Sequence, residues 1–205
     1  MSQIQELRNR TGAGIVSCSK ALGESGGDID KAILILRQKG ESRADGYGNR
    51  EAKAGGIGVY LHHDRTAGVL VQLSCETDFV ARTQEFQELA NNIAMHVMAS
   101  SPSVVALADL PESLVDLERE VARVELERRG MIGEKLERAL SGKVNKVLAE
   151  KCLLDQPFVV DQTITVGQAV KAFSSKCGEK IEVTAFSRLP EVGKPKPSIT
   201  STDYA

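Results

Sequence analysis

Hydrophobic residues in the first part of the chain recur every three or four positions, in three short stretches that predict three helices within residues 1–39. The turn Thr11–Gly14 is expected to end the first helix, and Gly26–Gly27 the second. Asp28 stands directly before the third stretch, where its side chain is suited to cap a helix. These stretches predict a small helical bundle, close to the lower size limit for a domain that is stable alone.

The pattern changes to alternation after residue 56, which predicts β-strands. Residues 57–63 and 68–75 are rich in apolar and β-branched side chains and are separated by turn residues, so they predict a hairpin. Residues 180–186 alternate in the same way and predict a third antiparallel strand. Because a lone hairpin is marginally stable in water, we expect helices to cover this three-stranded antiparallel sheet.

Two longer amphipathic stretches follow, and a break at Arg129–Gly130 separates them, which predicts an antiparallel helical hairpin. Gly-rich and charged residues before the first strand predict a linker, and the Pro-, Ser- and Thr-rich end of the chain predicts disorder. We therefore predict an α+β fold with a helical domain in residues 1–39, a linker in 40–56, a core domain in 57–190 that includes the helical hairpin 111–151, and a disordered tail in 191–205.

Charge and composition narrow the class of partner. The formal net charge is −2, there is no Trp, and aromatic residues make up 4% of the chain, which argues against a surface that binds nucleic acid. Cys18, Cys75, Cys152 and Cys177 lie far apart, as is typical of a reduced compartment. No run approaches the roughly 18 apolar residues of a membrane span, and no basic segment followed by an apolar run opens the chain. We expect a soluble, cytoplasmic protein whose partners are proteins.

Three kinds of chemical site were considered and are not expected. Adjacent residues of a strand point to opposite faces, so His62 and His63 should not share a metal ion, with or without Cys75. Cys18 or Cys75 could act as a nucleophile with His96 as its base, but no orienting acid or oxyanion-binding turn accompanies them. The chain also lacks the Gly-x-x-x-x-Gly-Lys-[Ser/Thr] loop that holds phosphate. We expect no metal, no cofactor and no enzymatic activity.

The segment Thr77–Val80 lies between the second predicted strand and a predicted helix. In one interpretation it presents Asp78 to a charged site and Phe79 to an apolar pocket on another protein. In the other, Phe79 fills the local core and Asp78 caps the following helix. The residues of the segment alone leave both interpretations open.

Four separated motifs occur in one order along the chain. The most specific is Cys-Glu-Thr-Asp-Phe-Val-Ala-Arg at 75–82. The others are Leu-Arg-Asn-Arg-Thr-Gly-Ala-Gly at 7–14, continued at 18–22 and 27–32, then Ile-Ala-Met-His at 93–96 and Gln-Pro-Phe-Val at 156–159. Together they resemble the elongation factor Ts family, the guanine-nucleotide exchange factors of elongation factor Tu. A single Thr-Asp-Phe matches the short form of the family, and the N-terminal bundle is similar to ubiquitin-associated-like domains.

The resemblance implies that the chain binds elongation factor Tu, both GDP-bound and nucleotide-free, and promotes release of GDP so that GTP can load. Thr77, Asp78, Phe79 and Val80 would enter the region of the partner's Mg²⁺ and phosphates. Secondary contacts of the family correspond to His96, near the partner's phosphate loop, and to residues that dock the small domain: Arg10, Thr11, Gly12, Ala13, Gly14, Ile15 and Val16. Short members of the family can pair, which leaves a homodimer open.

Two hypotheses from other classes remain beside this one. A ubiquitin-associated-like adaptor would bind a partner without any effect on its nucleotide. A small cysteine hydrolase would use Cys75 and His96, and Cys75→Ala would then abolish activity in a folded protein. Neither hypothesis accounts for four ordered motifs.

Overall fold

The structure, a computed structural model, describes residues 2–11 and 13–189, apart from the side chains of residues 41 and 43. It has the predicted α+β class, with three N-terminal helices, a three-stranded antiparallel sheet and further helices. The chain divides into two compact units. The first contains the chain up to Gly55, Ser74–Phe86 and Gln168–Glu182; the second contains Gly56–Leu73, Gln87–Gly167 and the segment that begins at Val183. The predicted domain limits stay a prediction, and the predicted tail 191–205 lies outside the described residues.

The N-terminal helices are α1 (Gln3–Thr11), α2 (Ile15–Glu24) and α3 (Ile29–Asp45). Gly26 and Gly27 follow α2 with φ of +67° and +86°, a conformation that favours glycine and stops the helix. The side chain of Asp28 accepts a hydrogen bond of 3.0 Å from the backbone N–H of Lys31, so it caps α3 as predicted. The core of the bundle consists of Leu7, Cys18, Ala21, Leu22 and Ala32.

The predicted linker 40–56 is shorter in the structure, because helix and strand both extend into it. Helix α3 continues to Asp45, through Gly40, and the first strand already begins at Ala54. A glycine inside a helix costs only about 1 kcal/mol relative to alanine, which other contacts can offset. The Asp45 carboxylate, for example, forms an ion pair with Lys171, with 2.7 Å between Oδ1 and Nζ. Residues 46–53 form turns and an extended segment.

The sheet contains β1 (Ala54–Leu61), β2 (Gly68–Cys75) and β3 (Glu182–Leu189), in the order β1-β2-β3. This confirms the hairpin and the third strand, which starts two residues later than predicted. The central strand β2 alternates as its sequence indicates, and its buried side chains are those of Val69, Val71, Leu73 and Cys75.

A short helix α4 (Asp78–Ala81) follows β2 and leads to α5 (Gln84–Ser100). Helix α5 approaches β1 closely at Gly58, where an added Cβ would lie 2.2 Å from the carbonyl oxygen of Ala90. One residue further, the Asn91 side chain accepts a hydrogen bond of 2.9 Å from the backbone N–H of Val59. This bond satisfies a backbone donor of β1, which lies at the edge of the sheet.

Helices α6 (Glu112–Arg128) and α7 (Gly133–Lys151) form the predicted hairpin. Gly130 adopts φ of +77° at the predicted break, and apolar residues of both helices share one core. Helix α8 (Val166–Cys177) then leads to β3. Within the described ranges, no helix has both the length and the apolar character required to cross a membrane.

Candidate protein-binding site

The segment Thr77–Val80 lies where β2 ends, and it begins the short helix α4. Thr77 is the N-cap: its backbone is extended, and its hydroxyl accepts a hydrogen bond of 3.4 Å from the backbone N–H of Val80. The first turn of α4 therefore points Phe79 away from the core, and 81% of this residue is exposed. Phe79 does not fill the local core, so the structure excludes that interpretation.

Asp78 does not cap the helix, because Thr77 holds that position. Its carboxylate instead pairs with Arg82, one turn further along, at 3.0 Å. Both side chains are more than half exposed, and surface pairs of this kind contribute only about 0–1 kcal/mol. The pair with Arg82 therefore contributes little to holding the carboxylate in place.

Glu179 holds the start of the segment in place. Its two carboxylate oxygens accept hydrogen bonds from the backbone N–H of Thr77, at 3.0 Å, and from the Thr77 hydroxyl, at 2.6 Å. Hydrogen bonds to an ionised acceptor are about twice as strong as neutral ones. The N-cap of α4 is thus fixed by a residue that follows α8, more than 100 positions along the chain.

A second carboxylate joins the same two segments in the opposite direction. Glu76 accepts a hydrogen bond of 2.6 Å from the backbone N–H of Lys180 and pairs with Arg50 at 3.2 Å. The Lys180 N–H and then the Arg50 side chain lower the pKa of Glu76. Arg50 also donates to the carbonyl oxygen of Gly178 at 3.1 Å. Phe79 is therefore exposed on a segment whose start is anchored by two carboxylates.

The N-terminal bundle presents a second exposed apolar pair, at the start of α2. Ile15 and Val16 are 57% and 68% exposed, next to the N-cap Gly14. Thr11 donates its hydroxyl proton to the carbonyl oxygen of Leu7 at 2.7 Å and accepts from the backbone N–H of Ala13. These bonds shape the turn before α2. Gly12 lies outside the described residues.

Arg10 and Gly14 complete this surface in different ways. Arg10 forms an exposed ion pair of 3.0 Å with Asp30. Gly14 has an ordinary negative φ, and a Cβ added there would meet nothing within 4 Å. The bundle itself therefore does not require glycine at this position.

His96 is completely buried, and its predicted contact with a partner stays a prediction. Its Nδ1 accepts a hydrogen bond of 3.2 Å from the backbone N–H of Val159, so its Nε2 carries the proton and donates to the Gln156 side chain at 2.9 Å. Burial lowers the pKa of His96 and keeps the ring neutral. The ring thus holds the segment Gln156–Val159, and it offers no surface to a partner in this conformation.

A protein-family model and several bacterial proteins are similar to this chain over most of its length. The family model for elongation factor Ts matches residues 44–194. The chain belongs to the elongation factor Ts family. Elongation factor Ts of Thermosipho melanesiensis is 46% identical over 186 residues, which cover 91% of this chain and 95% of that protein. The corresponding protein of Fervidobacterium nodosum is 43% identical, over 91% of this chain and 94% of its own length. That of Moorella thermoacetica is 41% identical, over 94% and 95%.

Within this elongation factor Ts chain, Cys75 and His96 lack the properties of a nucleophile and its base. Neither side chain is exposed, and burial raises the pKa of the Cys75 thiol. The thiol donates to the carbonyl oxygen of Thr77 at 3.1 Å. Cys75 therefore supports the segment that carries Phe79, and the hydrolase hypothesis has no accessible nucleophile here.

Sequence reasoning located Phe79 in elongation factor Ts because the strand and the helix beside it have clear patterns. It missed Glu179 and Arg50, which anchor that segment. The signal for Glu179 was weak: an acid in a turn after a helix is common, and nothing local indicates that it reaches Thr77. His62 and His63 were expected to point to opposite faces of a strand, but both follow the end of β1, and their ring centroids lie 4.3 Å apart.

Proposed function

We propose that this chain binds GDP-bound elongation factor Tu and promotes release of GDP by inserting Asp78 and Phe79 near the Mg²⁺ and phosphate region of the partner. The observation that supports this most is the exposure of Phe79 on a backbone segment held by Glu76 and Glu179. A large apolar side chain kept in water by a rigid support is the arrangement expected of a residue that binds another protein.

The mechanism is a shift of free energy between two states of the partner. A protein that binds nucleotide-free elongation factor Tu more tightly than the GDP complex weakens GDP binding by the same factor. A thousandfold faster release requires the barrier to fall by about 4 kcal/mol. Burial of one Phe contributes about 2 kcal/mol, so Phe79 must act together with other contacts.

The second contact in this mechanism is the N-terminal bundle. Ile15 and Val16 are both exposed and lie beside Gly14, where the backbone of a partner could approach closely. We assign Arg10 and Thr11–Val16 to docking on the nucleotide-binding domain of elongation factor Tu. Asp78 would exchange its weak pair with Arg82 for the polar groups around the Mg²⁺ ion.

His96 contributes indirectly in this proposal. It holds the backbone of Val159 through a hydrogen bond. Val159 is partly exposed, and the neighbouring Val160 is more than half exposed. Through the bond to Val159, the buried ring would position an apolar segment that faces outward. This assignment retains a role for the motif Ile-Ala-Met-His without requiring the imidazole to leave the core.

We also propose that the short chain pairs with a second copy through the outer face of its sheet. Ile57, Val59 and Leu61 on β1 and Leu70 on β2 all point to solvent on this face. Adjacent aliphatic side chains on an uncovered sheet are a typical interface between protein subunits. Val59→Glu should then convert a dimer to a monomer in analytical ultracentrifugation; a monomer at all concentrations in the unaltered protein would refute the pairing.

The exchange role is tested by following fluorescent GDP bound to elongation factor Tu in an excess of unlabelled GDP. Addition of this chain in substoichiometric amounts should accelerate release and act over many cycles. Binding without acceleration would instead support the adaptor hypothesis. No covalent bond is made or broken in this cycle, so the chain would act as an exchange factor in the cytoplasm rather than as an enzyme of covalent chemistry.

A further inference from the structure

The turn between β1 and β2 brings together three side chains that commonly bind metal ions. His62, His63 and Asp64 each offer one ligand atom, and these atoms all lie within 4.8 Å of one another. The two imidazole rings are inclined at 57°, with centroids 4.3 Å apart. We propose that this turn binds one divalent transition-metal ion of the Zn²⁺, Ni²⁺ or Cu²⁺ class.

The backbone of the turn is held by hydrogen bonds that do not use the proposed ligand atoms. The backbone N–H of His62 donates to the carbonyl oxygen of Ala67 at 2.9 Å, and that of Arg65 donates to the carbonyl oxygen of His62 at 2.8 Å. Arg65 adopts φ of +60°, a left-handed conformation that is common in turns. His62 and His63 follow the last residue of β1, so their side chains are not forced to opposite faces of the sheet.

Asp64 and His62 each keep one atom for a metal ion. Oδ1 of Asp64 accepts hydrogen bonds from the backbone N–H of Thr66, at 3.0 Å, and from its hydroxyl, at 2.8 Å. This orients the carboxylate and leaves its second oxygen available. Nδ1 of His62 is 3.5 Å from the hydroxyl of Tyr60, so Nε2 is the ring nitrogen left for a metal ion. Such outer partners orient metal-binding side chains and tune their affinity.

The donor set indicates the class of metal. Two imidazole nitrogens and one carboxylate oxygen suit Zn²⁺, Cu²⁺ and Ni²⁺, whereas Ca²⁺ and Mg²⁺ prefer sites built from oxygen atoms. Metal–ligand bonds of about 2.0–2.2 Å require the ligand atoms to approach somewhat more closely than 4.8 Å. His63 and Asp64 are both exposed, so rotation of their side chains can close this gap without moving the core.

The third histidine and two of the cysteines are poorly available to such an ion. The chain has three histidines, and the third, His96, is buried with both ring nitrogens occupied. Cys75 and Cys152 are buried, and burial raises the pKa of both thiols, to about 11 for Cys152. A change in the imidazole signals of the two turn histidines would therefore report on this site.

Histidine NMR spectra of the tag-free full chain test the proposal, with paramagnetic Ni²⁺ as the probe. We expect the ring signals of His62 and His63 to broaden at equimolar Ni²⁺, while those of His96 stay sharp. Zn²⁺ in calorimetry should bind once per chain, and His62→Ala or His63→Ala should weaken this binding at least about tenfold. Arg65→Lys, which changes no ligand, is the matched control and should bind as the unaltered chain does.

Two results would overturn the proposal. One is the absence of both broadening and heat at excess metal in the unaltered chain. The other is undiminished Zn²⁺ binding in the double variant His62→Ala, His63→Ala, which would place the ion elsewhere. The spectra of the unaltered chain decide the first point without any variant, so a folding defect cannot obscure it.

Discussion

Phe79→Ala separates the surface role of this residue from any role in stability. The side chain is 81% exposed, so it contributes little to the core of the isolated chain. Complete burial of a Phe against a partner is worth about 2 kcal/mol, and the exposed share of that is about 1.6 kcal/mol. This free energy corresponds to about 15-fold slower release of GDP at subsaturating protein. The melting temperature should stay unchanged.

The assay is stopped-flow release of fluorescent GDP from elongation factor Tu, with binding to the nucleotide-free partner measured in parallel. Ile132→Ala is the matched control, because Ile132 is 82% exposed and lies at the turn of the helical hairpin, far along the chain from α4. The variant Phe79→Ala should retain partner binding through Ile15 and Val16. Exchange within twofold of the unaltered chain, in a variant that still binds, would refute insertion of Phe79.

Three further changes probe the supports of the site. Glu179→Gln weakens the hydrogen-bond acceptor for Thr77, so the Thr77 amide should exchange faster with deuterium and GDP release should slow several-fold. An unchanged exchange rate of the Thr77 amide would contradict the anchoring role. Gly58→Ala forces a Cβ against Ala90 and should lower the free energy of unfolding in urea by about 1–3 kcal/mol. Gly142→Ala, with open space around the added Cβ, is the control and should not destabilise the protein. Equal free energies of unfolding for the two variants would refute the close approach. Burial lowers the pKa of His96 in the folded state, so the unfolded state takes up a proton at a higher pH than the folded state does. As the pH falls below 6.5, the free energy of unfolding should therefore decrease by at most about 1.4 kcal/mol per pH unit. His96→Gln should remove this slope, and an unaltered slope would assign it to other groups.

Local chemistry allowed most element types to be predicted. Asp28 caps α3, and Gly130 interrupts the helical hairpin, because capping and positive φ depend on a few adjacent residues. The alternation of Val69, Val71 and Leu73 has a period of two, which only a strand can place on one face. The end of α3 was predicted six residues too early, since Gly40 was interpreted as a break although a helix tolerates it.

The sequence by itself determined the helices, the strands, the motif at 75–82 and the family that this motif indicates, because each depends on residues close together in the chain. Only the tertiary structure decided which side chains reach solvent. It exposes Phe79 and buries His96, although both lie in helices beside apolar residues. It also joins Thr77 to Glu179 across 102 positions. Exposure and such distant contacts depend on which surfaces pack together, and local periodicity carries no information about that.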